Sequence, residues 1–154
     1  MILIIFLYVY NICLSIFFGS SIFIGYFTAP YIFKTIKSRD EAGNIVGSLL
    51  HKFSILGFIT QPVMIIAGYI LYINNYSNIF IMLGPFIILI LIILSENFIS
   101  KRMGILKKQM ISITVTPKED SRRKEFNYLH KWSVKLFLIN ELLCLPLFYI
   151  IFIR

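Results

Sequence analysis

Polar side chains interrupt the apolar segments of this sequence, and the longest series of them lies in its last quarter. Five residues recur every three or four positions and therefore share one face of a helix: His130, Ser133, Phe137, Glu141 and Cys144. Asn140 lies beside this face. Because a polar group that faces lipid is costly, we treat this polar stripe as a candidate functional site.

Further polar residues fall near the ends or centres of the other apolar segments. They are Asn11 and Ser15, His51 and Gln61, and Glu96 with Asn97. We expect His51, Glu96 and His130 to lie at one membrane face, where two imidazoles and a carboxylate could bind a divalent metal, relay protons or hold a cationic group. The alternative that we favour for these three is structural: Glu96 pairs with a nearby Lys or Arg, and each histidine is an interfacial hydrogen-bonding anchor.

Glu141 is the exception to that structural interpretation. It is the deepest acidic residue of the stripe, and no basic residue is predicted at its depth. We therefore expect its carboxyl group to be protonated or paired with Asn140 or another amide.

The elements that position these residues follow from the apolar runs. Hydrophobic residues make up 58% of the chain, against roughly 45–50% in a typical soluble domain. Residues 1–33 and 53–95 contain no charge, and residues 136–153 contain one charge, Glu141. A spanning helix needs roughly 20 such residues, so the second run is divided at Asn74–Ser77. The sequence predicts an all-α polytopic membrane protein: one domain, 1–154, with a four-transmembrane-helix bundle spanning about 2–30, 45–73, 78–100 and 132–153. The first run is too long and lacks the basic start of a secretory signal, so we retain it as a helix.

Basic residues are confined to two connecting segments. Except for Arg154, every Lys and Arg lies in 34–52 or 101–135, while Asn74–Ser77 is uncharged. This positive-inside pattern predicts cytoplasmic loops 34–52 and 101–135, with both termini outside, in a plasma or bacterial inner membrane. The net charge of +8 is therefore assigned to orientation and lipid contact, and we expect the lipid bilayer as a partner and no nucleic acid.

Two capping boxes predict that helices extend beyond the membrane into the cytoplasm. Ser38 precedes Glu41 by three residues, and Thr116 precedes Glu119 with Pro117 in the first turn. The third helix is expected from about Ser77 to Met110. Together these extensions predict a small helical cytoplasmic region.

Small residues on the first helix suggest close helix packing. Gly19 follows Ser15, and Gly25 follows Ser21, at the four-residue spacing that lets helices approach in a bilayer. Cys13 lies in the same apolar run. It is predicted to be a small hydrophobe like Cys144, with a disulfide or metal pair between them as the alternative.

Three ordered motifs carry a family resemblance. They are Gly19-x3-Phe23-x5-Ala29-Pro30-x-Ile32-Phe33, then Glu41-Ala42-Gly43, then Phe126-x2-Leu129-His130-x2-Ser133-x6-Asn140. Together they resemble the small four-helix membrane family that includes human transmembrane protein 205, whose bacterial members carry a domain-of-unknown-function label. The resemblance implies helix-packing roles for Ala29, Pro30, Ala42 and Gly43, and makes His130 and Asn140 candidate functional residues. His51 and Glu141 match nothing in the family pattern.

The first motif is also similar, more weakly, to copper-resistance D-like proteins and to membrane protoporphyrinogen oxidases. The oxidases carry a haem-binding histidine in their first helix, whereas Tyr8–Asn11 contains none here. No phosphate-binding glycine loop, zinc spacing or Ser–His–Asp arrangement occurs either. We therefore predict no catalytic residue and no cofactor; haem or a divalent metal at His51 and His130 is the alternative.

Three functions remain open from the sequence. The first is a small transporter subunit or membrane accessory factor whose polar stripe lines a cytoplasm-facing cavity. The second is a haem- or metal-binding redox protein that uses His51, His130 and Glu96. The third is a structural subunit of a membrane complex. A homo-oligomer or larger complex is expected for the first, because four helices leave little room for a pore.

Overall fold

A computed structural model describes residues 2–110 and 112–152 of the chain, and within them it contains helices and connecting turns but no strand. The helices are α1 (Ile2–Thr35), α2 (Arg39–Ile73), α3 (Phe80–Gln109) and α4 (Ser121–Phe152). The four predicted helices are confirmed. The predicted end of the last span at residue 153, and the basic residue Arg154, lie outside the described residues.

The four helices form a bundle in which each neighbour in sequence is a neighbour in space. α1 packs against α2, α2 against α3, α3 against α4, and α4 returns to α1. The short turn between α1 and α2 reverses the chain, and Asn75 reverses it again after α2 with a left-handed φ of 55°. The connections at 36–38 and 110–120 therefore lie at one end of the bundle, here called the basic end. The start of α1, the end of α4 and the turn at 74–79 lie at the opposite end.

Away from the basic end, the surface of the bundle is largely apolar. Aromatic and aliphatic side chains such as Tyr10, Phe17, Met64 and Leu71 fill the centre. Others point outward from all four helices, among them Ile5, Tyr8, Phe23, Ile59, Ile66, Phe86, Leu142 and Tyr149. Each helix is long and apolar enough to cross a membrane, and an outer surface of this kind is solvated by lipid. The chain is therefore a multi-pass membrane protein.

Neither α1 nor α2 ends at the proline that it contains. α1 continues through Pro30 to Thr35, and the turn before the proline widens into a π-helical segment, Phe23–Thr28. There the Thr28 hydroxyl donates to the Phe23 carbonyl at 3.1 Å. The wider turn accommodates the missing proline N–H without breaking the helix. A second π-helical segment, Ser95–Ser100, interrupts α3.

In α3, a side chain from another helix compensates for a proline. Pro85 lacks the N–H that would bond to the carbonyl of Ile81. The buried hydroxyl of Tyr10 donates to that carbonyl instead, at 2.9 Å, and so connects α1 to α3. Gly68 lies against the same carbonyl, since a Cβ built there would be 2.8 Å from its oxygen.

Of the two helix starts predicted from capping boxes, the one at Ser38 is confirmed and the one at Thr116 is wrong. Ser38 caps α2, its hydroxyl accepting from the Glu41 N–H at 3.3 Å. Thr116 caps nothing: its hydroxyl donates to the Ser112 carbonyl at 2.6 Å, inside a turn. α4 begins later, because the Asp120 carboxylate accepts from the Arg122 N–H at 2.8 Å and thereby provides the cap.

The helices extend beyond their apolar segments at the basic end and contact one another there. Arg102 of α3 forms a bidentate ion pair with Glu125 of α4, with N–O distances of 2.7 and 3.0 Å. Lys107 of α3 donates to Asn44 of α2 at 2.6 Å. The helical region predicted beyond the spans is therefore tied together by polar contacts between α2, α3 and α4.

Candidate functional site

A carboxyl group lies inside the bundle between α1 and α4. Glu141 is only 5% exposed, and its Oε2 accepts from the Tyr26 hydroxyl at 3.2 Å. Its Oε1 is buried without a hydrogen-bond partner among the described residues. The sequence predicts a carboxyl that is protonated or paired with an amide, and the partner found is instead the phenol of Tyr26, in the π-helical segment of α1 opposite α4.

The closeness of α1 and α4 at this point depends on Gly25. A Cβ built on Gly25 would be 2.9 Å from Cε1 of Phe137 and 3.7 Å from Oε1 of Glu141. Gly19 has nothing within 4 Å of such an atom, so it faces away from the bundle. Of the two predicted packing glycines of α1, only Gly25 lies at a helix contact among the described residues.

The second pair of predicted packing residues lies at the start of α2. Ala42 is fully buried, whereas a Cβ built on Gly43 would be 3.6 Å from Nζ of Lys107. Ala29 is half-buried and Pro30 exposed on α1. Ala42 and Gly43 thus lie on the side of α2 that meets the bundle and α3.

The polar stripe passes from the surface into the core along α4. His130 is exposed, Ser133 is half-buried, and Asn140, Glu141 and Cys144 are buried. Phe137 lies between Ser133 and Glu141, and its ring packs against Phe53 of α2 at a centroid distance of 5.6 Å. The expected open cavity is therefore filled at this level by an aromatic ring.

Other polar groups are also buried without a full set of partners. The Oδ1 atom of Asn140 and the Oε1 atom of Gln61 have no hydrogen-bond partner among the described residues. The Gln61 amide nitrogen makes a long contact of 3.4 Å with the Thr60 hydroxyl. Cys13 and Cys144 are both free thiols, so no disulfide joins α1 to α4.

A second polar pair lies between α2 and α3, nearer the basic end. Nδ1 of His51 is 3.3 Å from Oε2 of Glu96, and their side chains are 65% and 17% exposed. Glu96 belongs to the π-helical segment of α3. The pair lies in an open groove whose lining also includes Phe58, Asn97, Ser100 and Lys101.

The third member of the predicted cluster is separate. His130 stacks in parallel on Phe126, one turn earlier in α4, with centroids 6.4 Å apart. Across residues 2–110 and 112–152, no three His, Cys, Asp or Glu side chains converge as metal ligands. The donor set suited to a metal, or to a haem held by two histidines, is thus divided between the α2–α3 groove and the surface of α4, and does not fit either group.

Comparison with known families accounts for most of the chain. Residues 12–112 match the family described as domain of unknown function (DUF4149). The chain belongs to this family. No match was found among curated proteins or among solved structures.

The DUF4149 match covers most of α1 and all of α2 and α3, and it ends before α4. Tyr26, His51 and Glu96 lie within the matched part. Glu141 and the His130–Asn140 motif lie beyond it. The phenol donor Tyr26 therefore belongs to the part of the chain that matches the family, whereas the buried carboxyl of Glu141 does not.

Sequence reasoning identified most of the polar residues but missed Tyr26. This tyrosine is one of several aromatic residues in an apolar run, so its type carries no signal. Pro30 is an indirect signal, because a proline within a membrane helix is often accompanied by local π-helical geometry. That geometry changes the direction in which the side chains of the preceding turn point.

Proposed function

We propose that this DUF4149 protein is a small membrane transport subunit or accessory factor in which Glu141 takes up and releases a proton. The observation that supports this proposal is the burial of the Glu141 carboxyl in an apolar bundle with only a phenol as donor. A carboxyl group at such depth is costly for stability, and in membrane proteins such groups commonly serve ion or proton movement.

The neighbouring groups suit a proton that enters from the basic end. His130 and Ser133 lie on the same face of α4 as Glu141, nearer that end. Phe137 separates them from Glu141 and packs on Phe53 and against Gly25. In this proposal, a rotation of the Phe137 ring connects His130 and Ser133 with Glu141. The Tyr26 hydroxyl stabilises Glu141 while its carboxyl group is ionised.

The proposed orientation follows from charge. With the basic end in the cytoplasm, both termini lie outside, and the membrane is a plasma or bacterial inner membrane. The centre of the bundle is filled by side chains, so transport of anything larger than a proton requires a homo-oligomer or a larger complex. The resemblance to the family of human transmembrane protein 205, for which a part in export has been suggested, is in keeping with this role. The weaker similarity to copper-resistance D-like proteins adds no residue to it.

Two other functions receive less support. A haem- or metal-binding redox protein would need ligands that converge, and His51, Glu96 and His130 do not. A purely structural subunit would not require a buried carboxyl. An absorption spectrum and metal analysis of the purified protein test the first alternative directly.

The experiment for the proposal uses the full chain in proteoliposomes that contain a pH-sensitive dye. An imposed pH gradient should dissipate faster with the wild type than with Glu141→Gln, which keeps the shape of the side chain but cannot ionise. Tyr26→Phe should give an intermediate rate. Glu119→Gln, an exposed change in the loop before α4, is the charge-matched control and should behave as the wild type.

Infrared spectroscopy detects the protonation of Glu141 itself, so it distinguishes a lost proton site from a misfolded protein or an absent partner subunit. The wild type should show a carboxyl band that titrates with pH and is absent in Glu141→Gln. Equal dissipation by wild type, Glu141→Gln and empty liposomes, with no titrating buried carboxyl, would refute the proposal and favour the structural subunit.

A further inference from the structure

The groove between α2 and α3 combines a polar end with an apolar end. The polar end contains His51, Glu96 and Lys101, while Phe58 lines the groove two helical turns further along α2 from His51. α2 runs away from the basic end, so Phe58 lies deeper in the apolar part of the bundle. The groove opens outward at the junction of the basic and apolar surfaces, which is the level at which lipid headgroups meet a multi-pass membrane protein.

Charges of both signs face this groove. The Glu96 carboxylate is mostly buried, with the exposed His51 imidazole at 3.3 Å. Lys101 forms no ion pair within the part of the chain that the structure describes. Asn97 and Ser100 add polar groups on the same side of α3, although the Asn97 amide nitrogen already donates to the Ile93 carbonyl at 3.1 Å.

Most of the polar groups that α3 contributes to this groove belong to its π-helical segment. Glu96, Asn97 and Ser100 all lie in Ser95–Ser100, where each turn holds an extra residue compared with an α-helix. Gly47, on the facing helix, also lines the groove and has no side chain to close it.

We propose that this groove binds one phospholipid with a zwitterionic, primary-amine headgroup of the ethanolamine type. The ammonium group donates to the Glu96 carboxylate, while Lys101 and His51 donate to the phosphate. One acyl chain follows the groove past Phe58. A choline headgroup carries the same charges but has no N–H to donate, and a glycerol headgroup has no cation for Glu96, so the site selects against both.

The test measures lipid retention by native mass spectrometry on the full chain released from detergent. Purified protein is titrated with ethanolamine, choline and glycerol phospholipids of identical acyl chains, and with inorganic phosphate. The wild type should prefer the ethanolamine lipid over the choline lipid by at least about tenfold, the effect expected of a charge-assisted hydrogen bond. Glu96→Gln should reduce that preference to about twofold or less, whereas Lys101→Gln should weaken both lipids alike.

Glu119→Gln is the control for loss of one exposed acid and should retain the wild-type preference. Far-UV circular dichroism and a single elution peak confirm that each variant is folded. Equal retention of the three lipids by the wild type would overturn the proposal. The proposal would also be overturned if Glu96→Gln strengthened binding of the glycerol lipid or of inorganic phosphate. Such a result would show that the groove is a site for anions. The proposal is independent of Glu141, and its outcome leaves the proton experiment unaffected.

Discussion

Three acidic residues of this chain each have a different class of hydrogen-bond donor. Asp40, at the start of α2, accepts from hydroxyl and backbone groups of the loop that follows α3. Glu96 faces the His51 imidazole in an open groove, and the buried Glu141 accepts from the exposed phenol of Tyr26. The donors of Asp40 suit a carboxylate that stays ionised and holds the loop. Those of Glu96 and Glu141 suit the proposed lipid-headgroup site and the proposed proton site.

Asp40 should make stability depend on acid pH. The Ser112 hydroxyl, with a smaller contribution from the Ile113 N–H, holds the pKa of the Asp40 carboxyl below its usual range. Its stabilising effect is therefore complete above the unfolded-state pKa of about 3.9 and is lost as pH falls through the lower folded-state pKa. Asp40→Asn should cost about 1 kcal/mol at neutral pH and should reduce the drop in melting temperature between neutral and acid pH.

Thermal unfolding in detergent at a series of pH values measures this effect. Glu119→Gln serves as the matched control, since it removes an exposed carboxylate from the loop before α4. A wild type and an Asp40→Asn variant with parallel pH profiles would contradict the prediction.

At this scale, the sequence predicts which residues are polar and buried but not which of them meet. The depth of Glu141 follows from counting along an apolar run. Its pairing with Tyr26 depends on the rotation of α1 relative to α4, which a wider helical turn before Pro30 alters. His51 and Glu96 were expected at one membrane face, and their contact depends on which helices are neighbours.

In α1 and α3, local or neighbouring groups compensate for the N–H that a proline removes. A widened turn does this before Pro30, and the Tyr10 hydroxyl does it for Pro85. In lipid no water is available for that purpose, so an unsatisfied carbonyl is expensive. The polar contact between Tyr10 of α1 and Ile81 of α3 is therefore a consequence of the proline in α3.

The pairing of Tyr10 with the carbonyl freed by Pro85 can be tested with a double-mutant cycle. Tyr10→Phe should destabilise the protein by about 1–3 kcal/mol, since it leaves a buried carbonyl unpaired. In a Pro85→Ala background, the restored N–H should bond to Ile81 and Tyr10→Phe should cost much less. Reversible unfolding in mixed micelles gives the four stabilities, and additive effects would contradict the proposed coupling.

Gly68 and Gly47 of α2 form a matched pair for testing helix packing. A Cβ at Gly68 would be 2.8 Å from the Ile81 carbonyl oxygen, and a Cβ at Gly47 would meet nothing within 4 Å. Gly68→Ala should cost about 1–3 kcal/mol, because backbone must move. Gly47→Ala should change stability by less than about 1 kcal/mol, in the stabilising direction expected for alanine in a helix.

The same unfolding measurement compares the two glycine variants. If both have wild-type stability, α2 and α3 do not approach as closely as described.

The sequence predicts the presence of the four helices well, but it predicts the residues at which they begin less well. Four apolar runs determine four helices, and Ser38 marks the start of α2. The Thr116 pattern looks the same in sequence, yet the Asp120 carboxylate competes with it and Thr116 turns back to Ser112. Nothing in the sequence ranks those two caps.

For the whole molecule, the arrangement of charges predicts how it is inserted. The basic end should face the cytoplasm, and the turn at 74–79 should face outward. A membrane-impermeant maleimide applied to intact cells should label Asn75→Cys, and should label Lys118→Cys only after lysis. The unmodified chain is the control, because Cys13 and Cys144 lie within the spans. The reverse labelling pattern would show the opposite orientation.

The Tyr10–Ile81 hydrogen bond also constrains the order of biogenesis. As the chain is synthesised, α1 enters the membrane with a phenol whose acceptor lies in the third helix, and with Tyr26, whose acceptor lies in the fourth. Neither group has its native partner while the ribosome is still producing α2. The two tyrosines therefore acquire their native acceptors one after the other, Tyr10 once the third helix is inserted and Tyr26 only with the fourth.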